Sequence, residues 1–169
     1  FHPCSYVGLD LSQKSVDFCN RHHRRPGLSF RRGNAEKLPF GDASFDIVLN
    51  VESSLYYPDV GRFLVEVRRV LRPGGHFLYA DMRYLEEMPA WRKQLQDSGL
   101  TLVREEDITA NVARALVLDV ERKLALIDGH VPRLLRPFFR NFSGLSAPRL
   151  AQGTPKKGER IYLAFLLRN

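Results

Sequence analysis

The chain has 169 residues, 44% of them hydrophobic and 27% charged, which is enough apolar material for one domain with a real core and too much for a disordered chain. No run approaches the roughly 18 unbroken apolar residues of a membrane span, and no charged-then-apolar secretory leader is visible, so a cytoplasmic, reducing setting is expected. The net charge of +7 lies largely in Arg21, Arg24, Arg25, Arg31 and Arg32 and again in Arg133, Arg136 and Arg140; no base-stacking aromatic motif accompanies them, which makes nucleic acid an unlikely partner.

In chain order, Ser5 to Leu9 reads as a strand. Ser12 to His23 reads as a helix with Ser12 as its N-cap and Val16 and Cys19 one turn apart. Cys4 and Cys19, with His22 and His23, match no zinc spacing, so no metal is expected. Leu28 to Arg31 is a short strand, and Gly33 to Ser44, "GNAEKLPFGDAS", a loop rich in turn residues. Phe45 to Val51, "FDIVLNV", is nearly continuous apolar, the pattern of a strand covered on both faces. Pro58 and Asp59 open a helix whose stripe is Val60, Phe63, Leu64, Val67, Val70 and Leu71, and "RPGG" ends it. His76 to Asp81 is a strand closing on an acid, and Met88, Trp91 and Leu95 mark a helix stopped at Gly99. A strand begins at Leu100 to Val103. One long helical period runs from Thr109 to Asp128, with Val112, Leu116, Val120, Leu124 and Ile127 on one side. Val131 to Phe142 is apolar and basic and is broken by Pro132 and Pro137. Ala147 to Gly158 is loop-like, and Ile161 to Leu167 a last buried strand.

Strands alternating with helices predict an α/β, Rossmann-like, doubly wound and mainly parallel sheet with a helical cover before the last strand. One domain is expected: a core over 1–108, a cover over 109–142 and a final strand over 159–169. Ligands of such folds bind at the carboxyl ends of strands. Asp10, Asn34 with Ala35, Asn50 and Asp81 fall at those ends. An acid after a strand can accept two hydrogen bonds from ribose hydroxyls or simply cap a helix. Leu11 can lie on an adenine face. Asn34 can hold an adenine edge, having both donor and acceptor, or merely shape a turn.

The order and spacing of "VGLDLS", "GNAEKLPFGDASFDIVLNVES" and "VRRVLRPGGHFLYADMR" resemble class I S-adenosylmethionine-dependent methyltransferases over nearly the whole chain. The likeness is strongest to O-methyltransferases of the phthiotriol dimycocerosate type and to sugar O-methyltransferases. It implies S-adenosyl-L-methionine as cofactor, with Asp10 on the ribose, Leu11 lining the adenine and Asn34 and Ala35 at its edge. Asn50 and Val51 would lie along the methionine part, and Glu52 would open the acceptor side. An Asp is usual where this chain has Asn34.

Two departures matter. Relatives tend to carry a His in the stretch matching "ESSLYYP", where this chain has Leu55, Tyr56 and Tyr57. The resemblance leaves Asp81 as the candidate base, or a helix cap, and Tyr56 as a residue that orients an acceptor. The second departure is the glycine turn that precedes the ribose acid by about 20 residues in such sites. Asp10 has nine residues before it. The first strand, central in this family's sheet, is therefore expected to belong to a longer protein of which this is a fragment; otherwise the remaining strands must rearrange to close the gap.

Leu134, Leu135, Phe138, Phe139 and Phe142 make the cover apolar. It reads either as a lid over a small-molecule, lipid-like acceptor or as packing and an oligomer contact. Two further readings stand beside an O-methyltransferase: a non-catalytic methyltransferase-like domain and an RNA methyltransferase.

Overall fold

The computed structural model describes residues 5–142 and 156–169, with the side chains of 140–142 excepted. Cys4, the loop reading over 147–155 and the side chains of Arg140 and Phe142 lie outside the described residues. The apolar runs and helical stripes resolve in chain order as β1 (Tyr6–Asp10), α1 (Gln13–His22), β2 (Leu28–Arg32) and β3 (Phe45–Val51), then α2 (Val60–Val70), β4 (Leu71–Tyr84), α3 (Met88–Asp97) and β5 (Thr101–Asp107). The cover follows as α4 (Thr109–Leu118), α5 (Val120–His130) and α6 (Arg136–Phe142), and β6 (Arg160–Arg168) ends the chain. Among the described residues no helix is long and apolar enough to cross a membrane.

The expected α/β, mainly parallel architecture is present, but in two sheets. β1 and β2 pair in parallel as a ribbon; the larger sheet has the order β3-β4-β6-β5, with β3 and β4 parallel and β6 antiparallel to both neighbours. β1 and β3 are not hydrogen-bonded to each other, so the strands do not close up into one sheet.

The core sits on one face of the larger sheet. The α2 stripe predicted from its 3.6-residue spacing is buried as Phe63, Leu64, Val67 and Val70, and it packs with Trp91 and Leu95 of α3 against Phe77, Tyr79, Leu163, Phe165 and Leu167. Trp91 is the largest of these, edge-on to both Tyr79 and Phe165 with ring centroids at 5.6 and 5.0 Å. The opposite face departs from expectation. β3 was expected to be covered on both sides, yet Ile47, Leu49 and Val51 are exposed, as is Leu78 of β4. These residues share one face of the pleat, and α4 covers that face only near β6, where Thr109 Oγ1 accepts from the Tyr162 N–H at 2.9 Å.

Two other boundaries differ. The long helical period is two helices, parted at Asp119, whose carboxylate binds Arg122 of the following helix. β4 begins at Leu71, five residues before the predicted strand, because "RPGG" continues in extended pairing with a register shift opposite Phe45 and Ile47. A Cβ at Gly75 would come within 2.9 Å of the Arg72 carbonyl oxygen and 3.0 Å of that of Asp46, so only glycine fits this close backbone approach.

The β1–α1–β2 unit is joined to the larger sheet through the loop after β2. Arg69, near the end of α2, directs all of its donors to that loop and to Glu66 of its own helix. It donates to the carbonyls of Phe40 (2.8 Å) and Leu38 (3.1 Å), to Asp42 (2.8 Å) and twice to Glu66 (2.8 and 2.7 Å). Glu66 in turn accepts the Leu38 N–H at 2.7 Å. The hydrogen bond from Arg69 holds the Glu66 carboxyl below its ordinary 4.5 against the opposing effect of burial.

Arg69→Ala is expected to cost about 1.5–3 kcal/mol in urea unfolding, the range for hydrogen bonds to a charged group. Because the folded pKa of Glu66 is depressed, its contribution is complete above 4.5 and is lost as pH falls through the folded value. The stability gap between the native chain and Glu66→Gln should therefore be widest near neutral pH and close in acid. A gap that stays constant down to the acid transition would dismiss the clamp.

Candidate functional site

Two groups of strand ends carry the predicted site residues. At the first, β1 stops at Asp10 and α1 begins three residues later. Asp10 Oδ1 accepts the Ser12 N–H at 2.7 Å, while its second oxygen has no protein partner among the described residues. Half of the helix-cap reading is thus present, and one oxygen stays available. Leu11 is 67% exposed beside it. Arg32 Nε donates to the Leu11 carbonyl at 3.2 Å, and the Gly33 N–H to the Asp10 carbonyl at 3.0 Å, which brings the loop after β2 against the end of β1. Asn34 is exposed, and its Oδ1 accepts the Glu36 N–H at 2.9 Å, so the turn reading of Asn34 is also realised and its Nδ2 is left outward. Ala35 packs against the main core.

At the second group, β3 and β4 end side by side, with Asn50 opposite Tyr79 and Val51 opposite Ala80. Asn50 is buried. Its Nδ2 donates to the Tyr57 hydroxyl at 3.0 Å, and its Oδ1 is buried without a partner among the described residues. An unsatisfied buried acceptor costs about 1–3 kcal/mol, which makes this atom conspicuous. Val51 is exposed. Glu52 has φ of 48°, the left-handed region that a non-glycine residue seldom adopts, and its N–H donates to the Ala80 carbonyl at 2.8 Å. Tyr56 is 79% exposed and Tyr57 stacks edge-on against Phe63. The two groups are bridged where Glu36, after β2, accepts the N–H of Asp59 at the start of α2 (2.8 Å).

Asp81 does not lie open at its strand end. It is fully buried. Its Oδ2 accepts the Ser54 N–H at 2.8 Å and the Ser54 hydroxyl at 2.6 Å, and its Oδ1 accepts the Met82 N–H at 2.8 Å with the Arg83 guanidinium 3.5 Å away. The Ser54 hydroxyl also bonds the Tyr79 hydroxyl and accepts a hydrogen bond from Arg83 at 2.8 Å, and Trp91 Nε1 donates to Tyr79 at 3.0 Å. Arg83 lies over the Trp91 ring at 4.6 Å. Burial pushes the Tyr79 phenol up, so it stays neutral within this network. With its oxygens so engaged, Asp81 fixes the 53–57 loop to β4 and has no open path to an acceptor. Sequence reasoning singled out none of its partners. The readable signal was two polar groups, Ser54 and Tyr79, set among apolar strand and loop residues.

An open pocket of about 600 Å³ adjoins the second group, lined by Glu52 and by Val112, Ala115, Leu116, Leu118 and Asp119 of the cover. Among the described residues no three His, Cys, Asp or Glu side chains gather as metal ligands would.

Residues 1–79 match the family model described as a methyltransferase domain. The chain is 47% identical over 151 residues to the phthiotriol/phenolphthiotriol dimycocerosates methyltransferase of Mycobacterium tuberculosis, which covers 89% of this chain and 56% of that protein. It is 42% identical over 142 residues to a fatty-acid O-methyltransferase of Mycolicibacterium smegmatis, covering 84% of this chain and 52% of the relative. The chain thus spans about half the length of these curated relatives. Among solved structures, the geranyl diphosphate C-methyltransferase of Streptomyces coelicolor, in complex with Mg2+, geranyl diphosphate and S-adenosyl-L-homocysteine, superposes with a TM-score of 0.66 at 17% identity, over 96% of this chain and 61% of that one. At that identity the likeness concerns the fold.

Ser54→Ala leaves the Tyr79 hydroxyl and Asp81 Oδ2 each short of a partner and is expected to cost about 1–3 kcal/mol in denaturant unfolding. Tyr56→Phe, at an exposed position, should stay within about 0.5 kcal/mol of the native chain. Equal effects of the two would show that the network does not hold the loop.

Proposed function

As the chain belongs to the methyltransferase domain family, we propose that the protein transfers a methyl group from S-adenosylmethionine to an oxygen of a small, apolar, lipid-like acceptor. The observation that carries this reading is the Asn50 side chain. Its buried Oδ1 has no partner, and its amide is held in place by Tyr57, so it is an acceptor prepared for a ligand's N–H. The ammonium of the cofactor's methionine part is such a donor. At the other group, the free oxygen of Asp10 suits ribose hydroxyls, the exposed Leu11 suits the adenine face, and Asn34 Nδ2 with Ala35 suits the adenine edge. When bound, the cofactor supplies an activated methyl group on a sulfonium. The chain's own residues contribute alignment, which is worth about 7–11 kcal/mol in well-oriented transfers.

The acceptor class is inferred from two supports. The pocket beside Glu52 has four apolar lining residues on α4. The relatives named above act, by their names, on dimycocerosate lipids and fatty acids. Asp81 serves here as a positioning residue that holds the 53–57 loop, and Tyr56, exposed on that loop, orients the acceptor. A second reading, a methyltransferase-like binding domain without turnover, is favoured by one observation: Asp81, the candidate base, is closed off.

Calorimetry of S-adenosylmethionine with the complete gene product is expected to show saturable binding, and Asp10→Ala to weaken it about 10- to 100-fold, the equivalent of one or two hydrogen bonds to a charged acceptor. Absence of binding would remove the enzyme reading. An unchanged affinity in Asp10→Ala would remove the ribose assignment. Binding without transfer to any long-chain alcohol or acid would favour the second reading.

A further inference from the structure

We propose that Glu52 is the group that meets the acceptor's reacting oxygen: it selects a hydroxyl over a carboxylate there and takes the hydroxyl's proton. The proposal rests on the methyltransferase reading for its chemical step, but the selectivity belongs to the pocket alone.

Three observations converge on this residue. The first is its backbone. At φ of 48° a glycine would sit without strain, yet the chain has a long acid there, held by the hydrogen bond from its N–H to Ala80. Strained non-glycine positions gather at binding and catalytic sites because surrounding structure must hold them. Ala43, the other described non-glycine residue with positive φ, lies in a turn and offers no functional group.

The second is charge. The pocket has two acids, Glu52 and Asp119, against the apolar surfaces of Val112, Ala115, Leu116 and Leu118. Asp119 is already bound, with Arg122 Nε at 2.5 Å and Lys123 Nζ at 3.7 Å. Among the described residues the Glu52 carboxylate makes no hydrogen bond and no ion pair. It is the open acid of an otherwise apolar pocket. An amphiphile whose chain lies along α4 would bring its polar end to this carboxylate.

The third is the lack of a competitor. Asp81 is buried with its oxygens engaged by Ser54, Met82 and Arg83, and the 53–57 loop contains no histidine. Glu52 follows Asn50 by two residues, so the acid and the orphaned amide lie at the same strand end.

The step balances without any further reactant. The hydroxyl proton passes to the Glu52 carboxylate as the acceptor oxygen forms its bond to the methyl carbon, and the bond from that carbon to sulfur breaks with its electron pair remaining on sulfur. A carboxylate acceptor needs no base, and its charge would be repelled by Glu52.

The test uses 1-decanol and decanoate as probes on the complete gene product. Binding is measured first by calorimetry without methyl donor. The native protein is expected to favour decanol by about fivefold or more, the scale of one like-charge contact near a surface. Glu52→Gln should abolish that preference by raising decanoate affinity. Glu52→Asn, whose side chain tolerates the left-handed backbone, should do the same. With S-adenosylmethionine added, Glu52→Gln should slow methylation of decanol by about 10²- to 10⁴-fold, the usual worth of a positioned base, with cofactor affinity unchanged. The proposal is overturned if the native protein binds neither probe, if both variants keep the native preference, or if Glu52→Gln methylates decanol at the native rate. If the cofactor does not bind at all, the methyltransferase reading fails instead, and the shift in probe preference still decides whether Glu52 selects the acceptor.

Discussion

The arrangement depends on one side chain, Arg69. The β1–α1–β2 ribbon and the larger sheet share no strand pairing; the backbone ties at the joint are those of the loop, from the Ala43 and Ser44 N–H groups to the Arg69 and Val70 carbonyls at 3.0 and 2.8 Å. The side-chain tie that gathers the loop is a guanidinium on α2 that reaches two backbone carbonyls and two carboxylates at once. Its planar fork suits this; a lysine ammonium in its place would have too few donors, aimed in no fixed directions. Both halves of the candidate site, Asp10 with Asn34 and Asn50 with Glu52, hang on opposite sides of that joint. The Glu36–Asp59 hydrogen bond is a second, weaker tie across it.

A different constraint governs the ends of β3 and β4. Ser54, Tyr79, Asp81, Arg83 and Trp91 form a closed polar network inside an aromatic core. Buried networks of this kind fix one arrangement because every alternative leaves a donor or acceptor unmatched. The outcome is a rigid seat for the 53–57 loop and a carboxylate that is unavailable for proton transfer. Two residues of chain separate the pocket from the core: Glu52 lines the pocket, and Ser54 is buried in the core.

Much of the fold was legible because its strongest signals are periodic. The α2 stripe, the Ser12 and Asp59 caps and the apolar β6 all read directly from spacing. β3 misled, since a run of apolar residues carries no record of whether a helix layer lies over each face. The split at Asp119 was hidden because α4 and α5 keep the same apolar period across it. The positions at strand ends were also legible, for an acid or amide after an apolar run is a recognisable boundary. Their states were not. The closure of Asp81 depends on Ser54, 27 residues earlier in the chain, and only packing brings the two together; the Asp10 and Asn50 states are set by nearer residues, Ser12 and Tyr57, whose side-chain and backbone geometry the spacing alone does not record. The Glu52 backbone was likewise invisible, because nothing in "NVESS" distinguishes an extended glutamate from a left-handed one.

The position of β6 bears on biosynthesis. Of the described strands it is made last, yet it lies in the interior of the sheet, between β4 and β5. While the chain is being made, β4 and β5 wait with facing edges unpaired, and neither Leu163, Phe165 nor Leu167 is present to cover Trp91 and Phe77. The sheet closes only when the final segment emerges. A ribosome that stalls just before Arg160 would release a species with two exposed edges and an open aromatic core, a substrate for chaperones or proteases.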